Sequence, residues 1–240
     1  MVNIGFTMTS MLAKSYRNSF ARVLPLLLAA FLATSAWAQE THPVTGRTIA
    51  GVMGMGGAPW LERSEREMEE APAVAIRLLD LKKGMNVADV GAGSGYFVQR
   101  IAPLVQPGTV YAVDIQAGML DLLKKRMADS GIANYQTILG ADDDTHLPEG
   151  QIDLILLVDV YHEFSKPQAM LRSMRNALKP DGRLVLLEYK KEDPAVPIRP
   201  EHKMSVKEVR AEIEPEGFRM VKVIDKLPRQ HVIIFRKQAM

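Results

Sequence analysis

The sequence predicts an α/β fold, a doubly wound and mostly parallel sheet with helices on both faces, and three observations predict it. From Gly84 to Phe235, short apolar runs alternate with stretches striped at helical spacing. That order implies parallel strands joined by right-handed crossovers. The run Val87-Ala88-Asp89-Val90 enters Gly91-Ala92-Gly93-Ser94-Gly95 and leaves it through Tyr96-Phe97, which reads as strand, tight turn, helix. A second run, Val110 to Val113, ends in Asp114, 19 residues beyond Gly95.

Residues 1–38 stand apart from that pattern. Lys14, Arg17 and Arg22 lie among polar residues, Val23 to Leu32 is almost wholly apolar, and Ala36-Trp37-Ala38 precedes Gln39 as a small-x-small cleavage site. This is the layout of a secretory signal peptide, so export, to a bacterial periplasm, is the expected location. The apolar core is too short, and Pro25 too disruptive, for a membrane span of about 20 residues. No stable span is expected after cleavage. An uncleaved anchor is the alternative, and Met8 or Met11 is an alternative start. The whole chain carries a formal charge of +2; without its three leader cations it falls to −1. Such a chain gives no reason to expect a nucleic-acid partner. The absence of cysteine excludes disulfides and thiolate metal sites.

About 200 residues remain, enough for one well-cored domain. Residues 39–83 read as an N-terminal arm with lid helices, and residues 84–240 as the main domain. Thr41 to Gly57 is Gly- and Thr-rich and reads as an extended or mobile arm. Pro59 to Glu67 reads as one helix opened by its proline. Its charges make a solvated face; the sharper reading, by analogy with fold-mates, closes Trp60 and Arg63 over the glycine turn on a carboxylate. Ile76, Leu79 and Leu81 mark a helix ending at Lys82-Lys83-Gly84. Phe97, Ile101 and Leu104, then Leu120, Leu123 and Met127, repeat at helical spacing and face a core.

Tyr135 to Leu139 is a third strand. In the loop that follows, Asp142, Asp143 and Asp144 with His146 read as a solvated run, because adjacent residues do not converge on one hard cation. Ile152 to Val158 is apolar except for Asp153, as befits a central strand buried on both faces. It ends in Asp159-Val160-Tyr161-His162-Glu163-Phe164, where strands of such sheets line a ligand crevice. Lys166-Pro167 opens a helix striped by Met170, Met174 and Leu178, and Leu178 to Gly182 turns into the strand Leu184 to Leu187. Glu192 to Met204 reads as a loop, Ser205 and Glu208 as a capping box for the helix striped by Val206, Val209 and Ile213. Met220 to Ile224 and His231 to Phe235 are two closing strands, which makes seven.

Side-chain-free positions in the first turn leave bare backbone for a ligand. The dinucleotide fingerprint would place its last glycine where Tyr96 stands, which disfavours a nicotinamide. An acid at the tip of the second strand is where ribose hydroxyls are held, so Asp114 is the expected ribose ligand. Asp89-x-Gly91-x-Gly93-x-Gly95, then Asp114, then the acidic loop ending Leu147-Pro148, then Leu178-Lys179-Pro180-Asp181-Gly182, resemble the motif order of class I S-adenosylmethionine-dependent methyltransferases of types 11 and 25. The resemblance covers Gly84 to Phe235. Asp181, in place of the usual glycine, and the long acidic run depart from it.

The resemblance implies a Rossmann-like seven-stranded sheet with a terminal antiparallel strand, S-adenosylmethionine as cofactor, and a small-molecule methyl acceptor as the other partner. It also implies cofactor contacts from Asp89, Gly91, Ala92, Gly93, Gly95, Asp114, Ile115 and Asp159, and from Asp142, with Asp143 beside it, on the adenine amino group. His162 is the expected general base for a hydroxyl acceptor, with Tyr161 and Glu163 orienting the imidazole or the acceptor. The plainer alternative is that His162 only walls the pocket or bonds the backbone. His146 and His231 read as surface or structural groups, and His202 as a lesser candidate for an acceptor pocket. No metal-ligand set, aromatic cage or basic groove is legible. Two other classes stay open: an exported, non-catalytic binding protein reusing this fold, since the cofactor is made in the cytoplasm, and a nicotinamide oxidoreductase.

Overall fold

The computed structural model describes residues 40–238; the expected signal peptide lies outside them. Seven strands form one sheet: β1 (Val87–Val90), β2 (Val110–Asp114), β3 (Tyr135–Leu139), β4 (Ile152–Val158), β5 (Leu178–Tyr189), β6 (Phe218–Ile224) and β7 (Gln230–Lys237). Their order is β3-β2-β1-β4-β5-β7-β6. The first five run parallel, and β7 inserts antiparallel between β5 and β6. This is the expected doubly wound, mostly parallel sheet with an antiparallel strand near its end. Strand order reverses between β1 and β4, which opens a crevice at their carboxyl ends.

The helices are α1 (Ala58–Leu61), α2 (Arg66–Glu69), α3 (Pro72–Leu78), α4 (Tyr96–Val105), α5 (Ala117–Asp129), α6 (Pro167–Ala177) and α7 (Val206–Ile213). Two cores sandwich the sheet. On one face Leu154 and Leu156 meet Ile76, Ile101 and Leu123 from α3, α4 and α5. On the other Ile155 and Leu157 meet Met170, Met174 and Val209 from α6 and α7. The two-residue alternation of β4 thus feeds both layers, which is why its sequence is a nearly unbroken apolar run. Gly95 starts α4 at φ +84°, and a Cβ there would lie 2.7 Å from Leu123 Cγ, so this glycine serves helix packing. The capping box of Ser205 and Glu208 opens α7 as expected. Among the described residues no helix is long and apolar enough to cross a membrane.

Three local expectations change. Residues 41–57 are not a loose arm: Thr41 bridges Thr48, Ile49 and Ala50 are buried, and the Ala50 N–H donates to the His162 carbonyl at 3.0 Å. Arg47 anchors them with a two-point bond to Glu212 of α7, Nε to Oε1 at 2.9 Å and Nη2 to Oε2 at 3.0 Å. The single helix expected over 59–67 breaks into α1 and α2. Arg63 and Arg66 donate to the carbonyls of Trp60 and Leu61 at 2.8 and 3.0 Å, the acceptors that a continuous helix would use for its own N–H groups. The turn expected at 178–182 is a bulge within β5: Leu178 pairs with Ile152 and Arg183 with Leu154, and the residues between them loop out.

Asp89, expected at the cofactor, lies inside the sheet instead. Burial pushes its carboxyl up to about 7, with Arg66 opposing and Asp114 adding to the rise. A carboxyl raised in the fold stabilises most at low pH and loses that contribution as pH climbs from about 4 through about 7. Asp89→Asn should therefore flatten the fall in stability over that window, by up to about 4 kcal/mol, in denaturant titrations at several pH values. Equal pH slopes in both proteins would refute this. Removing one partner of the buried Arg47–Glu212 pair should cost about 3–5 kcal/mol. The paired change Arg47→Met with Glu212→Leu should recover most of that loss in the same measurement.

Candidate active site

Two adjoining cavities occupy the crevice. The first is floored by Gly91 and Gly93, walled by Asp114, Ile115, Asp142 and Asp159, and roofed by Met53 and Leu61. Bare backbone is required here by what presses on it. At Gly91, φ +77°, a Cβ would lie 2.4 Å from Val160 Cγ2, and at Gly93, φ +52°, 2.8 Å from Leu61 Cδ1. Asp114 is clamped at the mouth of this turn: Oδ2 accepts from the Gly93 N–H and Oδ1 from the Gln116 N–H, both at 2.8 Å. Burial pushes its carboxyl up, and the N–H groups of Gln116 and Gly93 pull it back down. Each oxygen keeps a further acceptor position for a ligand.

Asp159 stands where the two cavities meet. Its backbone is left-handed at φ +50°. Oδ2 accepts from Gln230 Nε2 at 2.6 Å, while the buried Oδ1 has no partner among the described residues. Burial, then the charges of Glu70 and Glu188, hold this carboxyl well above the usual range, with Arg66 opposing. An unpartnered buried acceptor is costly, and a ligand donor would satisfy it.

The second cavity encloses about 520 Å³, within the range of small-molecule sites. Trp60, Tyr189 and Arg199 line it together with His162, Glu163 and His202. His162 is only 2% exposed, and its Nδ1 lies 2.7 Å from Oε2 of the fully buried Glu188. A carboxylate can only accept, so Nδ1 carries a proton and donates to Glu188, which leaves Nε2 as the ring nitrogen turned to the cavity. Nε2 stands 3.2 Å from His202 Nδ1. The other Glu188 oxygen accepts from the Tyr161 N–H at 3.1 Å. Burial pushes the Glu163 carboxyl up to about 7, His162 and the Met53 backbone opposing.

Of the residues expected at the cofactor, Gly91, Gly93, Asp114, Ile115, Asp142 and Asp159 meet at the first cavity, whereas Asp89, Ala92 and Gly95 line neither. Ala92 is buried behind the turn, and Gly95 packs on Leu123. Asp142 pairs with Lys166 at 2.9 Å; Asp143 shares that lysine at 3.3 Å and does not line the first cavity. Asp144 bonds the His146 N–H and Ser173, so the three acids do not converge. Tyr161 also leaves the site. It is fully buried, edge-on to Phe164 at 5.6 Å and under the Arg47 guanidinium, and lines neither cavity.

The segment over the glycine turn makes its contact differently from the expected one. Leu61 touches Gly93, and Glu62 bonds Ser94 and Arg126. Arg63 stacks on Trp60 at 3.6 Å and is neutralised by Glu69 and Glu70 at 3.0 and 2.5 Å, so it is not free for a ligand carboxylate. His146 is exposed, and His231 pairs with Glu192 at 3.0 Å. His202, from the loop before α7, reaches His162. Glu188 escaped the sequence reading, although an acid closing the apolar run Leu184 to Leu187 is the same signal that marks Asp114 and Asp159.

The profile of a family described as "Methyltransferase domain" matches residues 81–225. The chain is 34% identical over 119 residues to the ubiquinone/menaquinone biosynthesis C-methyltransferase of Coxiella burnetii, covering 49% of this chain and 48% of that one. It is 32% identical over 114 residues to the protein-L-isoaspartate O-methyltransferase of Pyrococcus horikoshii, covering 48% and 49%. It thus spans about half the length of each of these relatives. A crystal structure of a SAM-dependent methyltransferase from Aquifex aeolicus superposes with a TM-score of 0.72 at 25% identity, over 77% of this chain and 98% of that one. With the profile covering more than half of its length, the chain belongs to the methyltransferase domain family.

Proposed function

We propose that the protein is an S-adenosylmethionine-dependent methyltransferase that holds the cofactor in the first cavity and a small-molecule acceptor in the second. The observation that carries this reading is the clamped Asp114 beside a side-chain-free turn, facing the unpartnered Oδ1 of Asp159 across the same cavity. A sugar diol needs a fixed acceptor, and an α-amino group needs a buried one. The residues present fit both needs. The bound cofactor would supply a methyl group already activated on a sulfonium.

The chain's own residues would supply the rest. Asp114 accepts from the ribose hydroxyls, the backbone at Gly91 and Gly93 lies against the methionine half, and Asp159 takes its amino group. Asp142 receives the adenine amino group, and Ile115 offers an apolar edge to the base. Met53 and Leu61 exclude water. Holding the acceptor in line with the methyl is the main catalytic task, since proximity alone contributes about 7–11 kcal/mol in well-oriented systems. His162 Nε2 takes the proton of an acceptor hydroxyl, while Glu188 orients the imidazole and offsets its new charge. On this reading residues 39–83 roof both cavities and residues 84–240 form the cofactor-binding domain. The leader pattern in residues 14–38 supports export to a periplasm.

Calorimetric titration of residues 39–240 should give saturable binding of S-adenosylmethionine and S-adenosylhomocysteine and none of NAD. Gly93→Asp and Asp114→Ala should each weaken it at least tenfold, about 1.4 kcal/mol. Unchanged affinity in both variants, or NAD bound in preference, would reject the site. With an acceptor identified, His162→Ala should lower kcat by about 10²–10⁴-fold; an unaltered kcat would leave His162 as a wall. Fractionation of cells carrying a tagged chain tests export, which full-length protein in the cytosol would overturn.

A further inference from the structure

We propose that His162 Nε2, His202 Nδ1 and the Glu163 carboxylate form a binding site for a divalent transition-metal ion, Zn2+ foremost, that opens on the second cavity. The site stands on geometry of its own; its link to a methyl acceptor rests on the methyltransferase reading above, and with metal bound the ion takes the place of the proton that His162 Nε2 would otherwise accept, so the two roles of that nitrogen exclude each other. One ligand atom from each of the three residues lies within 4.8 Å of the other two. The two imidazole nitrogens are 3.2 Å apart, hydrogen-bonded to each other through one proton that a metal would displace, and that spacing is close to the edge of about 3.3 Å that a tetrahedron with Zn–N bonds of about 2.0–2.1 Å requires.

What surrounds the ligands is equally specific. A metal-binding histidine characteristically donates its other ring N–H to a carboxylate, which fixes the tautomer and orients the free nitrogen. Glu188 does this for His162 from a fully buried position at 2.7 Å. The His162 backbone is pinned as well, its carbonyl accepting from the Ala50 N–H at 3.0 Å and from Arg47 Nη1 at 3.1 Å. The short turns Tyr161–Glu163 and Pro200–His202 carry the three ligands. Two imidazoles and one carboxylate are a borderline donor set suited to Zn2+ and its first-row neighbours, whereas Mg2+ and Ca2+ want oxygen alone. Three protein ligands leave a fourth position. All three residues line the second cavity, so the fourth ligand comes from there: water, or a hydroxyl or amine of the molecule bound in it.

The test is titration of the whole chain, stripped with a chelator, with Zn2+, Co2+ and Mg2+, read by calorimetry, thermal melting and visible absorption of the cobalt form. One equivalent of Zn2+ should bind at micromolar concentration or tighter and raise the melting temperature, Co2+ should show ligand-field bands, and Mg2+ should do neither. His202 lies in a half-buried loop, so His202→Ala keeps the core intact; it and Glu163→Gln should weaken Zn2+ at least tenfold, and Glu188→Gln about 10–100-fold. Absence of Zn2+ binding, equal affinity in His202→Ala, loss of binding in His146→Ala instead, or Mg2+ bound as well as Zn2+ would each overturn the proposal. S-adenosylmethionine titrated into the same samples reports on the first cavity. Zn2+ binding without the cofactor would leave the metal site standing and sink the methyltransferase reading, and cofactor binding without Zn2+ would do the reverse.

Discussion

The carboxylate of Asp114 closes the crevice. By accepting from the Gly93 N–H and the Gln116 N–H, it ties the turn after β1 to the entry of α5 across the tips of two neighbouring strands. Both N–H groups belong to segments with no ladder partner, so one buried acid satisfies donors that would otherwise face an apolar wall. The glycine turn and the entry of α5 take their positions at the first cavity from this clamp. Gly93 can come so close only because it lacks a Cβ, and Leu61 fills the space that a Cβ would need. The turn, the acid and the roofing leucine act as one packed unit, drawn from three distant parts of the chain.

A second carboxylate plays the corresponding part for the second cavity. Glu188 receives the Tyr161 N–H with one oxygen and His162 Nδ1 with the other. It thereby shapes the short turn after β4 and aims the imidazole outward. Burying such a group without partners would be expensive, and here both oxygens are bonded. Tyr161 then has no role at the cavity because the same turn drives its ring inward, beneath Arg47. Asp159, between the two cavities, keeps a buried oxygen that no donor among the described residues reaches.

How much of this was legible depended on whether the signal was periodic or conformational. The strands and the stripes of α4 to α7 follow from burial on one or two faces, and burial writes itself into residue spacing. Asp114 was legible because its place, the last residue of an apolar run, coincides with its function. The interruption between α1 and α2 was not, since it arises from arginine side chains capturing carbonyls that a helix pattern assigns to backbone partners. Nor was the anchoring of residues 41–57, whose partner Glu212 lies 165 positions away and looks, on α7, like an ordinary surface acid. His202 and His162 meet only because the Pro-rich loop folds back over the end of β4, and loop composition carries no shape. The inward turn of Tyr161 is likewise a matter of rotamer and packing rather than of residue order.

The bond between Arg47 and Glu212 has a bearing on how the molecule is made. Residue 47 helps to seat the roof of the first cavity and fixes the His162 carbonyl, yet its anchor belongs to α7, near the other end of the chain. Leu61 is seated through Glu62 on Ser94 and Arg126, all of which precede α7, whereas residues 41–50 gain this anchor only from α7. The turn that carries His162 is in this way fully braced only when both ends of the chain are in place.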